Sequence, residues 1–205
     1  LSSEDGRHVS EPVVTKISHE DLNDFIINDA PLYRDELLAV TYVIEDSEKT
    51  LAYCSLANDR IGIEDFPSNT DYNRFRKKRF VNAKRIKHYP AIKICRLGVD
   101  VEHQSKGIGR LIVDTLKWYF LDNNKSGCRY LTVDAHKDAV DFYKKNGFVN
   151  NVFAVSYIKS IFNILQIRHN LLTEDFFISS LIRFPSVSSA FASIVTTISS
   201  FQRIA

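Results

Sequence analysis

The chain has 205 residues, is 44% hydrophobic and 25% charged, and has a formal net charge of +2 at pH 7. A chain of this size can bury the core of one domain with additions, and it has no run of eighteen uncharged apolar residues that would span a membrane. Cys54, Cys95 and Cys128 lack the spacing of a zinc site or a disulfide framework, and no signal peptide is evident. We therefore expect a cytoplasmic protein without a bound metal.

The first part of the chain predicts three strands and one helix. Residues 12–17 have the pattern of a strand, and residues 18–27 that of a helix with an acidic first turn. Two apolar runs predict a second strand over residues 36–45 and a third over residues 50–57, joined by a polar turn. This succession is typical of an α/β fold with a mixed sheet.

A basic strip follows at residues 74–88, which contain eight lysines or arginines and no acidic residue. One interpretation is a helix or loop face that is exposed to solvent. The other is a surface for a polyanion, since clustered lysine and arginine supply the sequence-independent part of nucleic-acid binding. The sequence leaves both interpretations open.

A strand and a long helix are predicted in the middle of the chain. Residues 91–100 alternate apolar and polar positions, as in a strand, and apolar residues from position 108 onward recur at steps of three and four. This spacing predicts a helix of about four turns.

The loop between this strand and this helix has the features of a phosphate site. Gly107 and Gly109 leave the first N–H groups of the helix unobstructed by Cβ atoms, and Lys106 and Arg110 add positive charge. Such a helix end binds phosphate groups. The glycines of a Walker loop or of a dinucleotide-binding fingerprint are not present in full, since Ile112 occupies the position of the last glycine of that fingerprint.

The last predicted elements are a strand over residues 129–135, a short helix within residues 139–148 that ends at a glycine C-cap, and a strand over residues 152–157. Residues 151–205 form a C-terminal extension. Its two open interpretations are completion of the sheet and an interaction element, because the apolar segment from Phe176 onward would promote aggregation if exposed.

Two motifs together resemble those of the GNAT family of N-acetyltransferases. Residues 104–109 read Q-x-x-G-x-G, similar to the family's acyl-CoA-binding motif, and residues 139–148 read A-x-x-F-Y-x-K-x-G-F, similar to the signature that follows it. The resemblance covers residues 12–150. It implies an α/β GNAT fold, in which a twisted mixed central sheet has splayed fourth and fifth strands and is flanked by helices.

The resemblance also implies acetyl-CoA as the cosubstrate. In the family, the pantetheine arm lies between the splayed strands and its amides bond to the edge of the fourth strand, here Leu97, Gly98 and Val99. A further interpretation of the basic strip is a site for the 3′-phosphate of the cofactor. The pyrophosphate would lie on the loop and the start of the helix, which consist of Gln104, Ser105, Lys106, Gly107, Ile108, Gly109 and Arg110.

Tyr143 is the predicted catalytic residue, because the matching tyrosine of the family protonates the departing CoA thiolate. The alternative interpretation is a core tyrosine packed beside Phe142. If the acceptor is an α-amine, water suffices as the base, since enough of such an amine is neutral at pH 7. The candidates for a general base, none of which the sequence favours, are Asp100, Glu102, His103, Asp134 and His136.

We expect an acetyl-CoA-dependent N-acetyltransferase that moves acetyl directly to a primary amine of a small molecule or peptide in a ternary complex. Two alternatives remain open. The basic strip and Tyr143 are similar to the toxin branch of the GNAT family, which acetylates aminoacyl-tRNA, and there an antitoxin partner would be expected. The chain could instead be a catalytically silent module that binds CoA or nucleic acid. A homodimer is compatible with all three.

Overall fold

The computed structural model describes residues 17, 19–45, 49–77, 86–121, 126–153 and 157–164. Among its described helices, none is long and apolar enough to cross a membrane. The helices are α1 (Glu20–Asp24), α2 (Ala30–Asp35), α3 (Asn69–Lys77), α4 (Ile108–Leu121) and α5 (Val140–Lys145), with a π-helical segment (Phe25–Asp29) between α1 and α2. The strands are β1 (Val40–Glu45), β2 (Thr50–Ile61), β3 (Tyr89–Val99), β4 (Tyr130–His136), β5 (Val149–Phe153) and β6 (Tyr157–Asn163).

The six strands form one mixed sheet in the order β1-β2-β3-β4-β6-β5, in which β3 and β4 are parallel and the other neighbours antiparallel. β3 pairs with β4 only over residues 91–94, against residues 130–133. The rest of β3 continues to Val99 and, within the described residues, pairs with β2 alone. The two parallel strands therefore separate, which confirms the predicted splay.

The core has one layer on each side of the sheet, because neighbouring residues of a strand point to opposite faces. Ile92 and Leu131 pack in the layer that contains α4, whereas Ala91 and Tyr130 pack in the layer beside α3. α4 buries side chains at the spacing by which it was predicted: Ile108, Ile112, Val113, Leu116, Lys117 and Phe120. The prediction of this helix is confirmed.

The second strand was predicted four residues too long at its start, because β1 begins at Val40. The preceding apolar pair belongs to the turn after α2, where Leu37 has φ +56° and is 92% exposed. The N–H of Leu38 donates to the carbonyl oxygen of Tyr33 at 2.8 Å, which ends the helix. The third strand was predicted too short, since β2 continues through polar residues to Ile61.

The predicted strand over residues 152–157 is also wrong, because this range contains parts of two strands. β5 ends at Phe153 and β6 begins at Tyr157, and β6 lies between β4 and β5 in the sheet. The sheet therefore extends past residue 150, at which the sequence suggested the end of the domain. Residues 165–205, residues 78–85 of the basic strip and the predicted first strand, apart from Ile17, lie outside the described residues.

Candidate active site

A cavity of about 580 Å³ lies where β3 separates from β4. We call it the larger cavity, to distinguish it from a smaller one described below. Tyr143 lines it, whereas Lys106 is exposed outside the lining. Of the ten residues predicted to bind the cofactor, the lining contains nine: Leu97, Gly98, Val99, Gln104, Ser105, Gly107, Ile108, Gly109 and Arg110. The structure thus brings together two segments, the end of β3 and the start of α4.

The end of β3 offers backbone groups to this cavity. Residues 97–99 are paired with β2 on one side, and their other edge has no strand opposite it among the described residues. The side-chain N–H of Gln104 donates to the carbonyl oxygen of Val99 at 3.2 Å, which holds the following loop against the strand. An extended ligand with amide groups can hydrogen-bond along this edge.

The loop turns sharply before α4. Ser105 has φ +60° and Gly107 has φ +87°, a left-handed conformation that glycine adopts without a steric cost. The N–H of Leu111 donates to the carbonyl oxygen of Gly107 at 3.0 Å, so the N–H groups that precede it are those a helix leaves unpaired at its start. Arg110 is largely exposed beside them, with its Nε 3.5 Å from Asp114. This helix end suits an anionic group.

Gly109 has a packing role in addition to lining the larger cavity. A Cβ atom at this position would lie 3.3 Å from the Cζ atom of Phe142 and 3.8 Å from a methyl group of Val99. The glycine therefore allows α4 to approach α5 and β3 closely, and its role at a phosphate site stays a prediction.

Gly98 is likewise required by packing, and its replacement should destabilise the fold. A Cβ atom at this position would lie 2.6 Å from Cε1 of Tyr53 and 2.8 Å from Cδ1 of Ile17. We expect Gly98→Ala to lower the free energy of unfolding, measured with urea, by about 2 kcal/mol. In an Ile17→Val background, which lacks this Cδ1, the loss should be smaller; strictly additive losses would contradict the packing explanation.

Tyr143 is almost fully buried, with 6% of its surface exposed. Its ring meets those of Phe142 and Phe148 edge-on, at centroid distances of 5.0 and 5.4 Å. Burial raises the pKa of its hydroxyl well above the ordinary value, and the nearby Cys54 adds to this effect. The phenol is therefore protonated, and able to donate, at physiological pH.

A second, smaller cavity of about 400 Å³ adjoins the first, and Arg96, Asp134, His136 and Asp138 contribute to its lining. Tyr143 lies at the boundary between the two cavities. The residues that line both are His19, Leu22, Leu97, Ala139 and Tyr143. The two cavities therefore form one cleft with two halves.

Residues 67–156 match the sequence model of a family described as an acetyltransferase (GNAT) domain. Over this range the chain is similar to a GNAT acetyltransferase domain. A search of curated proteins found no match.

Three solved structures are similar to the chain over most of their length. A tyrosine-to-phenylalanine mutant of KacT is 19% identical, with a TM-score of 0.64, over 78% of this chain and 93% of that one. AtaT complexed with acetyl-methionyl-tRNAfMet is 19% identical, with a TM-score of 0.59, over 80% and 94%. AtaTR bound with AcCoA is 19% identical, with a TM-score of 0.60, over 78% and 92%. These likenesses confirm the GNAT fold.

Two of the candidate bases are held in a local network. Burial alone would raise the pKa of Asp100, but hydrogen bonds from His103 and from the N–H of Glu102, together with the charge of Lys49, bring it below the ordinary value. A hydrogen bond from Lys49, 2.6 Å from the carboxylate, lowers the pKa of Glu102 as well. Both carboxylates are weak proton acceptors, and Asp100 caps the turn that leads into the loop.

The same network bears on metal binding. Asp100, Glu102 and His103 place three potential ligand atoms within 4.8 Å of one another. The ammonium group of Lys49 lies 2.6 Å from Glu102 and 3.9 Å from Asp100, so a cation already neutralises this cluster. The expectation of no bound metal stays a prediction.

The remaining candidates are spread around the cleft. Asp134 forms an ion pair with Lys93, and His136 is exposed; both line the smaller cavity. His103 lines the larger cavity and has its Nδ1 2.9 Å from Asp100.

Sequence reasoning missed His19, which it assigned only to the start of a helix. His19 is the N-cap residue of α1 and makes no side-chain capping bond. Its Nε2 lies 3.5 Å from a carboxylate oxygen of Asp138, in the turn after β4. No local pattern could have revealed this contact, because the two residues come from opposite parts of the chain.

Proposed function

We propose that this GNAT domain transfers acetyl from acetyl-CoA directly to a primary amine while both substrates are bound. The observation that supports this most is the single cleft whose two halves meet at Tyr143. The larger half has the strand edge and the helix start that suit a pantetheine arm and a pyrophosphate, and the smaller half has room for an acceptor. A ternary complex needs no covalent enzyme intermediate.

The reaction needs only a few groups from the protein: donors for the oxyanion and for the departing thiolate, and residues that position the cofactor. The neutral amine attacks the thioester carbonyl, the C–N bond forms, and the C–S bond breaks to release the CoA thiolate. Backbone N–H groups at the end of β3 are placed to stabilise the oxyanion. Tyr143 donates a proton or hydrogen bond to the thiolate, and Leu97, Gly98 and Val99 position the cofactor.

The proposal is tested by transfer of labelled acetyl from acetyl-CoA to three separate acceptors: methionyl-tRNA, a peptide with a free α-amine, and spermidine. We expect label on at least one of them, with release of one CoA thiol per acetyl group transferred. Binding of acetyl-CoA without label on any acceptor would favour the catalytically silent module instead.

Aminoacyl-tRNA is the specific acceptor that a second set of observations favours. Among the similar structures, AtaT is described as a toxin, and one of its complexes contains acetyl-methionyl-tRNAfMet. Others are described as complexes with the C-terminus of the antitoxin AtaR or, for KacTA, with DNA. We therefore propose a toxin-type acetylation of aminoacyl-tRNA as the finer function, with an antitoxin as the corresponding partner.

The described part of the basic strip offers some of its cations to such a polyanion. Arg74 and Lys87 are exposed, and Arg74 is held only by an i,i+3 ion pair with Asp71. Surface ion pairs of this kind are weak, so the guanidinium can exchange its partner for a phosphate. Arg76 belongs to the fold instead, because its guanidinium packs 5.1 Å from the centre of the Tyr72 ring.

Loss of these two exposed cations should weaken tRNA acetylation without changing the use of acetyl-CoA. For the double variant Arg74→Gln/Lys87→Gln we expect a roughly fivefold higher KM for methionyl-tRNA and a salt dependence of log KM that is shallower by about 1 to 2. The matched control is Lys144→Gln, which also removes an exposed cation from an i,i+3 pair. Equal KM values in the wild type, the double variant and this control would mean that the basic strip is a solvent-exposed surface and does not bind tRNA.

A further inference from the structure

His19 is placed where the two substrates of the proposed reaction would meet. It is one of five residues that line both halves of the cleft, and of these only His19 and Tyr143 have a side chain that can exchange a proton. Tyr143 is buried and protonated, as argued above, so it serves as a donor. A proton acceptor is the role that the cleft still lacks.

Asp138 gives the imidazole of His19 an orientation. The Nε2 atom of His19 lies 3.5 Å from Oδ2 of Asp138, which also lines the smaller cavity. At this distance an N–H group at Nε2 can face the carboxylate, which leaves the lone pair at Nδ1 to accept a proton. Both side chains are more than half exposed, so the pair adds little to stability and substitution should not unfold the protein.

The other bases of the cleft are less suited to this role. The network with Lys49 makes Asp100 and Glu102 weak acceptors. Asp134 is held by Lys93. His103 is hydrogen-bonded to Asp100 and does not line the smaller cavity, whereas His136 does not line the larger one.

We propose that His19 accepts the proton that the ammonium group of the acceptor must lose before it attacks acetyl-CoA, and that Asp138 is its positioning residue. This inference rests on the proposed acetyl transfer to an amine. It also defines the acceptor further, as an amine that enters the smaller half of the cleft in its protonated form.

The proton balance of this step is complete. The N–H bond of the ammonium breaks and its proton binds Nδ1 of His19, from which it passes to solvent. The neutral amine then attacks, and after the C–N bond has formed the nitrogen loses a second proton to solvent. The departing thiolate accepts a hydrogen bond from Tyr143 and takes up one proton from solvent. The net products are the amide, free CoA and one proton.

Other charged groups face the same cleft and contribute to its pH dependence. Those that line the smaller half, which would hold the acceptor, are Asp21 of α1, Arg96 of β3, and Asp134 and His136 of β4. Those that line the larger half, which would hold the cofactor, are His103 and Arg110, beside the loop, and Tyr143 and Lys145 of α5. A decisive test must therefore separate His19 from His136, the other histidine that lines the smaller half.

The test compares the pH profiles of kcat/KM of the wild type, His19→Gln and Asp138→Asn, with the fastest acceptor among methionyl-tRNA, a peptide with a free α-amine, and spermidine. If the acceptor binds as its ammonium, kcat/KM of the wild type should fall at low pH, where the base is protonated, and should be constant at higher pH. We call the falling part of the profile the acidic limb. Without the base, only free amine reacts, so the rate of His19→Gln should rise about tenfold per pH unit up to the pKa of the acceptor. We expect a loss at pH 7 that narrows as the pH rises: about tenfold for an α-amine, whose pKa is near 8, and larger for the more basic amines of spermidine.

Asp138→Asn should have a smaller effect at pH 7 than His19→Gln, because the base itself is kept and only its neighbouring carboxylate is lost. The matched control is His88→Gln, in which the histidine also lies near a carboxylate, 3.9 Å from Glu64, but lines neither half of the cleft. It should keep the acidic limb, as should His136→Gln.

A wild-type profile in His19→Gln, or loss of the limb in His136→Gln instead, would overturn the inference while leaving the proposed function intact. A wild type that acetylates none of the three acceptors would overturn both.

Discussion

Replacement of Tyr143 by phenylalanine should lower kcat for acetyl transfer by about 100-fold or more while the Kd of acetyl-CoA changes by less than about twofold. The substitution removes one hydroxyl group and keeps the ring, whose edge-on contacts with Phe142 and Phe148 hold it in place. The fold and the cofactor half of the cleft should therefore be unchanged. Steady-state kinetics and calorimetric titration with acetyl-CoA measure the two quantities.

The raised pKa of Tyr143 determines how the hydroxyl acts. Because burial raises this pKa above that of a free phenol, complete proton transfer to the thiolate is more unfavourable than the about 2 kcal/mol expected for an ordinary tyrosine. A hydrogen bond to the charge that develops on sulfur avoids this cost and still favours departure of the thiolate. The phenylalanine variant loses this hydrogen bond as well as the proton.

The control for this experiment is Tyr130→Phe, which removes the hydroxyl of another buried tyrosine. Tyr130 lies in the core layer beside α3 and lines neither half of the cleft. Its kcat should stay within about twofold of the wild type. An equal loss of kcat in both variants would mean that the fold, and not the chemistry, requires these hydroxyl groups.

The second large effect concerns Lys117, a buried lysine of α4 that holds α5 in place. Its ammonium donates to the carbonyl oxygen of Asn146 at 2.8 Å and to Asp114 at 3.0 Å, and lies 4.5 Å from the centre of the Phe162 ring. We expect Lys117→Ala to lower the free energy of unfolding by about 3 kcal/mol, because the side-chain packing is lost, the carbonyl oxygen of Asn146 loses its donor and Asp114 loses its buried counterion. Burial lowers the pKa of Lys117 and so offsets part of the gain from these contacts.

The matched control for Lys117 is Lys144→Ala. Both lysines pair with an aspartate three residues earlier, but the pair of Lys144 with Asp141 is exposed. Its loss should change the free energy of unfolding by less than about 0.5 kcal/mol. Urea unfolding of the two variants measures the difference, and similar values for both would contradict a special role for the buried pair.

The sequence predicted the features that depend on local patterns. α4 follows from its apolar spacing, and Gly107 from the turn that it must make before the helix. The splayed strands and Tyr143 followed from the resemblance to the GNAT family, whose motifs lie on neighbouring elements of the chain. These are the parts of the site in which few residues determine the geometry.

The features that were missed depend on contacts between distant segments. Leu37 and Leu38 have strand-forming neighbours but end a helix, since backbone bonds to Tyr33 and Arg34 decide their conformation. The packing role of Gly109 requires Phe142 to be in place. His19 becomes a candidate base only when Asp138 folds beside it, and nothing near position 19 in the sequence indicates this.

The position of β6 has a consequence for synthesis of the chain on the ribosome. β4 and β5 are both made before β6, the strand that must lie between them. A growing chain that ends before residue 157 therefore leaves one edge of β4 unpaired. Direct pairing of β4 with β5 at that stage would have to be undone before β6 could insert. Because β5 is short, such a pairing is weak, and β6 can displace it once β6 has been made.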